Sequence, residues 1–199
     1  MAAFLHVPGD LILRSIQTNQ TVSNEDLHQF IVSRQNALEW VDGGRTWSDQ
    51  GLAYLRLAEN TGYASFAGQG YLAEGAEALK RGLSKAPASP YAWARLAYLR
   101  LLQDGMGGAA KRALMMSLFT GPLERRLIDS RIQYGLIIWH QLDASQQSMI
   151  HKQILLLDKT NRQRLYHIVR QNPNYRVIAL TALASYPERQ AVLRAALAK

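Results

Sequence analysis

Apolar side chains recur along this chain at the three-and-four spacing of amphipathic helices, and no segment sustains the period-two alternation of a half-buried strand. Leu27, Phe30 and Ile31, then Ala37 and Leu38, share one helix face. Asn24 followed by Glu25 and Asp26 reads as an N-cap with an acidic first turn. Asp42-Gly43-Gly44 breaks that helix. Thr46, with Asp49 three residues on, reads as the cap of a second helix ending near Asn60-Thr61-Gly62. A glycine-containing connection at Gly68–Gly70 leads to a helix over Tyr71–Ser84, and Pro90 suits the first position of the next. That one stops at Asp104-Gly105-Met106-Gly107-Gly108, and Ala109–Phe119 stops at Thr120-Gly121-Pro122. Leu123–Trp139, Ser145–Leu156, Asn161–Arg170, Tyr175–Ser185 and Glu188–Ala198 complete the predicted series. The expected fold class is all-α.

One word occurs twice. LAYLRL stands at Leu52–Leu57 and again at Leu96–Leu101, an offset of 44. The second copy lies in a helix that is apolar nearly all round, interrupted by Arg95 and Arg100 alone as charges, so neighbours must cover it on several sides. Each copy is followed by a glycine-rich break and an alanine-rich helix ending at proline, which is a helix–turn–helix unit used twice. The expected organisation is an N-terminal helical segment over residues 1–43, repeat units over 44–122 and a helical C-terminal region over 123–199, packed on the repeats.

These residues resemble the tetratricopeptide repeat (TPR). Trp93, Leu96 and Ala97 match its first helix, while Ala109 or Ala110, Ala113 and Gly121-Pro122 match its second helix and terminator. Leu79, Leu83 and Pro87 fit the same places one unit earlier, with an insertion around Tyr63–Gly70 between that unit's helices. The resemblance implies a short TPR-like α-solenoid. A looser resemblance runs through NALEW at Asn36–Trp40, the repeat helix and RIQYGLIIWHQLDASQQSMI at Arg131–Ile150. It is to repeat proteins of bacterial cell-envelope polysaccharide assembly, and implies a periplasmic helical domain with an anchor removed from its N-terminus. Without that resemblance the expected location is cytoplasmic.

The absence of cysteine excludes disulfides, thiolate chemistry and sulfur-ligated zinc. No apolar run approaches the ~18 residues of a membrane span, and MAAFLHVPGDLIL has no basic segment ahead of a long apolar core. Charge is uneven: residues 1–43 carry −3, residues 44–104 +2 and residues 105–199 +9. A basic C-terminal half suits an anionic partner, and equally an ordinary solvated surface.

No nucleophile elbow, phosphate loop or HExxH motif is present. His6, His28, His140, His151 and His167 lack ligand spacing, and Gly105-Met106-Gly107-Gly108 reads as a turn. No cofactor is expected. Lys159, Arg162, Arg164, Arg170 and Arg176, interleaved with Tyr166, His167 and Tyr175, could grip a nucleic-acid backbone or simply form the wet face of helices. Tyr54, Arg56, Tyr98 and Arg100 recur at matching places of the duplicated word. They are candidate anchors for a protein partner along a repeat surface, or else core and inter-repeat cover. The expected function is a non-enzymatic scaffold for protein–protein interaction, in envelope polysaccharide assembly or export. The alternative is a binding module for nucleic acid or another polyanion.

Overall fold

The computed structural model describes residues 2–18, 20–105 and 107–198, with side chains from residue 9 onward; Met106 of the glycine turn and the side chain of His6 lie outside the described residues. Among the described residues eleven α-helices occur and no strand, and 81% of the chain is helical, so the all-α reading holds. The chain forms two compact units, Met1–Thr120 and Gly121–Lys199.

The first unit contains α1 (Ala2–Gln17), α2 (Asn24–Leu38), α3 (Gly44–Thr61), α4 (Phe66–Lys85), α5 (Pro90–Asp104) and α6 (Gly108–Thr120). Each packs against the next in sequence, from α1 on α2 through α5 on α6. Leu13, Ile16, Leu27, Phe30, Ile31, Ala53 and Leu57 close one core. Leu96 and Leu99 are buried, as the all-round apolar helix requires.

Glycine joins α3 to α4. A Cβ on Gly51 would lie 2.6 Å from Leu79 Cγ and 3.1 Å from the Gly75 carbonyl, and one on Gly82 would lie 2.9 Å from the Gly44 carbonyl. Gly44/Gly82 and Gly51/Gly75 are therefore two contact pairs spaced seven residues apart on both helices. Side chains at these places would hold the backbones apart.

This packing corrects three expectations. The helix break before α3 holds, with Gly44 its first residue, but the N-cap is Gly43 without a side-chain cap, and Thr46 and Asp49 are buried within the helix. Gly68 and Gly70 lie inside α4, so the connection is the short turn 62–65 and no insertion separates the pair; Ser65 accepts from the Gly68 amide to cap α4. The cap of α2 is Ser23, whose hydroxyl accepts from the Asp26 amide at 3.1 Å, because Asn24 accepts from Asn60 of α3 at 2.8 Å instead.

The second unit holds α7 (Ile128–Ile137), α8 (Ala144–Thr160), α9 (Arg162–Arg170), α10 (Pro173–Ala182) and α11 (Pro187–Leu197). The helix expected over Leu123–Trp139 is shorter, with a 3₁₀ turn at each end, Arg125–Leu127 and Trp139–Gln141. Arg131, fully buried, donates to the Gly121 carbonyl at 2.8 Å and holds the Gly121-Pro122 entry as a turn. Asp143 and Gln146 form a reciprocal capping box at α8. Around α8 the buried side chains Ile150, Ile154, Leu157, Leu165, Ile168 and Leu193 make the core.

Candidate functional site

The duplicated word does not occupy equivalent helix positions. Trp47 is the fourth residue of α3 and Trp93 the fourth of α5, 46 apart. Both indole N–H groups donate into the preceding turn, Trp47 to Asp42 at 2.7 Å and Trp93 to the Pro87 carbonyl at 2.8 Å. The structural repeat of these two helices is thus two residues longer than the sequence repeat of 44. Two residues turn a helix by about 200°. Tyr54 and Tyr98 consequently meet different neighbours, although they stand at matching places of the duplicated word.

Tyr54 is half-buried and stacks on Tyr71 of α4 with centroids 6.4 Å apart, and Tyr71 meets the edge of His28 at 6.0 Å. Burial first, then the nearby Glu74 carboxylate, raises the Tyr54 phenol above its ordinary pKa. The ring opens on a recess of about 160 Å³ shared with Gln35, Trp47, Gln50 and Arg81. Arg81 covers the Trp47 ring at 5.1 Å. Asp42, which orients Trp47, is held below the usual carboxylate range by hydrogen bonds from Lys85 and then Trp47.

Tyr98 turns to Tyr63, in the α3–α4 turn, with hydroxyls 3.3 Å apart and rings edge to face. Burial, then the Tyr98 hydroxyl, pushes the Tyr63 phenol well up, while the Arg56 charge opposes this. Arg56 pairs with Glu59 at 2.6 Å and donates to the Ile16 carbonyl at 3.3 Å, bracing α3 on α1. Arg100 stays on its own helix, bonded to Gln103 at 3.1 Å and facing Asp104 at 3.6 Å. The four residues therefore fall into separate neighbourhoods, with Tyr98 and Arg56 linked through Tyr63.

In the second unit the basic series is largely committed. Arg162 binds Asp158 at 3.1 Å, Arg164 binds Asp129 at 2.5 Å, Arg170 donates to the Ala196 carbonyl at 2.6 Å and Arg176 to the Arg170 carbonyl at 3.5 Å. Tyr166 is buried, so its ring offers no face to a base. His151 lies on Trp139 at 5.2 Å, while His140 and His167 are exposed. Among the described residues no group of three or more His, Asp or Glu is placed to hold a metal ion, and no helix is long and apolar enough to cross a membrane.

Comparison with known protein families, with curated proteins and with solved structures returns no match. Geometry alone carries the reading of the site.

Sequence reasoning missed Trp47, Tyr71 and Arg81 as companions of Tyr54. A signal was available: Trp47, Gly51 and Tyr54 stand at i, i+4 and i+7, one face of a helix with glycine at its crossing. The repeated word drew attention to a different register.

Proposed function

We propose that the chain is a non-enzymatic helical-repeat scaffold whose first unit binds a protein partner. The observation that carries this reading is the row of rings in which exposed His28 meets half-buried Tyr71 and Tyr54, continued by Trp47 under Arg81. Trp, Tyr and Arg are the residue types that dominate binding energy at protein interfaces: Trp and Tyr bring large area at little cost in rotamer freedom, and Arg brings a planar fork of donors. Three helices, α2, α3 and α4, fix this row, so little ordering is left to be done on binding.

The finer fold in this proposal is a short TPR-like α-solenoid, supported by the consecutive hairpins α3/α4 and α5/α6 and by tryptophans at the same place in both first helices. The order of words from Asn36–Trp40 to Arg131–Ile150 supports envelope polysaccharide assembly or export as the setting.

The test is retention of a defined protein partner on the immobilised full chain. Retention that persists in high salt and is weakened about tenfold by Arg81→Gln supports the scaffold. Retention of nucleic acid or heparin in its place, eluting steeply with salt, would replace it by the polyanion reading, since counterion release governs such binding.

A further inference from the structure

Residues 121–199 carry twelve Lys and Arg against five Asp and Glu. Part of that excess gathers at a cleft of about 690 Å³ between the Pro122-Leu123 turn, α8 and the start of α11. Lys152 and Lys159 on α8, Arg162 and Arg189 line it. A single buried carboxylate, Asp158, takes both arginines, Arg162 at 3.1 Å and Arg189 at 2.6 Å. Lys152 and Lys159 are exposed and have no ion-pair partner among the described residues. The cleft therefore keeps a net positive charge after its internal pairing is complete.

Its floor is apolar. Leu155 and Leu156 are half-buried, Leu123 is 74% exposed and Tyr186 is 45% exposed. On α8 the order is Lys152, Leu155, Leu156, Lys159 along one face, because steps of three, four and seven residues return to the same side of a helix. The two ammonium groups are rooted about 10 Å apart along the axis. Cation, two leucines, cation is the complement of a helix that carries carboxylates a heptad apart with leucines between them.

We propose that this cleft binds an acidic amphipathic helix of a partner protein. A nucleic-acid strand fits it less well for two reasons. A phosphate backbone gains nothing from Leu123, Leu155 and Leu156, and the Tyr186 ring is already covered by the Arg189 guanidinium at 4.8 Å, which takes a face a base would stack on. Charge selects the ligand and brings it in, while the leucines hold it. The site lies in the second unit and stands or falls separately from the aromatic row of the first.

The test uses the full chain and three fluorescent probes followed by anisotropy. One is a helical peptide of about 18 residues, or five turns, with leucines on one face and glutamates flanking them. The second has lysines for those glutamates, and the third is single-stranded DNA. The glutamate peptide binds and its lysine twin does not. The exposed pair Lys152→Glu/Lys159→Glu reverses that preference, and Leu123→Ser weakens the glutamate peptide roughly tenfold, a change of about 1.4 kcal/mol. A reversal cannot arise from misfolding, and circular dichroism checks that helix content is kept. Equal binding of the twin peptides, failure of the reversal, or DNA binding at the cleft without peptide binding would each overturn the proposal.

Discussion

Arg95 on α5 donates from one nitrogen, Nη1, to both the carbonyl oxygen of Ser48 at 3.2 Å and its hydroxyl at 3.1 Å on α3. Burial works first against the Arg95 charge, and the Asp49 carboxylate supports it. Asp49 in turn faces Arg34 of α2 at 3.9 Å, and Arg34 binds Asp10 of α1 at 2.9 Å. A chain of charges thus runs through four helices of the first unit, with Arg34 fully buried. Hydrophobic contact alone would let these helices slide; directional bonds fix their register.

Arg95→Met keeps much of the volume and removes the bonds, leaving the buried Asp49 short of a cation. We expect a loss of about 3 kcal/mol in urea unfolding, the scale of a broken buried charge network. Ser48→Ala leaves the carbonyl acceptor in place and should cost about 1 kcal/mol. Equal effects of the two variants would mean that the charge chain contributes little beyond a single hydrogen bond.

Two glycines should respond with opposite sign. At Gly51 a new Cβ would meet Leu79 and the Gly75 carbonyl, so Gly51→Ala must separate α3 from α4 and should cost about 2 kcal/mol. At Gly70, exposed on α4, nothing lies within 4 Å of the new atom. There Ala improves helix propensity, and Gly70→Ala should gain about 0.5–1 kcal/mol. Thermal melts of both variants decide it, and two losses would contradict the close helix contact as the cause.

Those glycines also show what was legible in the sequence and what was not. Helical spacing and the proline start at Pro90 gave the class of fold and most elements directly, since periodicity and a missing amide donor act locally. Gly68 and Gly70 read as a connection because the chain alone does not say whether a glycine bends backbone or sits within a helix. That distinction is tertiary. The same holds for the candidate anchors: the repeated word promised equivalence for Tyr54 and Tyr98, whereas the helix starts and tryptophan bonds set a register two residues longer. Tyr63, assigned to an insertion, turns out to join Tyr98.

Acid should weaken the second unit through His151. Its ring rests on Trp139, and its buried Nε2 has no hydrogen-bond partner among the described residues. Burial lowers its affinity for a proton below the ordinary ~6.5, so the unfolded chain takes up the proton first. The stability present above ~6.5 is therefore lost as pH falls from that value toward the lower folded one, and the loss levels off below it. His151→Phe keeps a ring on Trp139 without the titrating nitrogen. It should melt at or above wild type at neutral pH and show a shallower fall between roughly pH 7 and 5. An unchanged acid slope would assign the effect to other groups.

The partner-binding face is best tested at arginines whose removal spares the fold. Arg56 is a poor choice, because its bond to the Ile16 carbonyl braces α1, and lost binding could follow from lost packing. Arg81 is exposed on α4, where it faces Glu77 and covers Trp47, and among the described residues Arg100 bonds within its own helix, through Gln103 and Asp104. Gln at either place keeps stem length and removes charge. The Arg81–Glu77 pair is exposed and the half-buried Arg100 pairs with Asp104 one turn along its own helix; pairs at this spacing contribute little to stability, so Arg81→Gln and Arg100→Gln should melt within about 4 °C of wild type. If Trp47, Tyr54 and Arg81 form the contact centre, Arg81→Gln weakens partner binding about tenfold, the effect of one interfacial hot spot. Arg100→Gln should weaken it less, since the register difference carries that side chain away from the aromatic row. The reverse order would move the contact to the Tyr63–Tyr98 side of the unit, and full binding by both variants would remove this face from consideration.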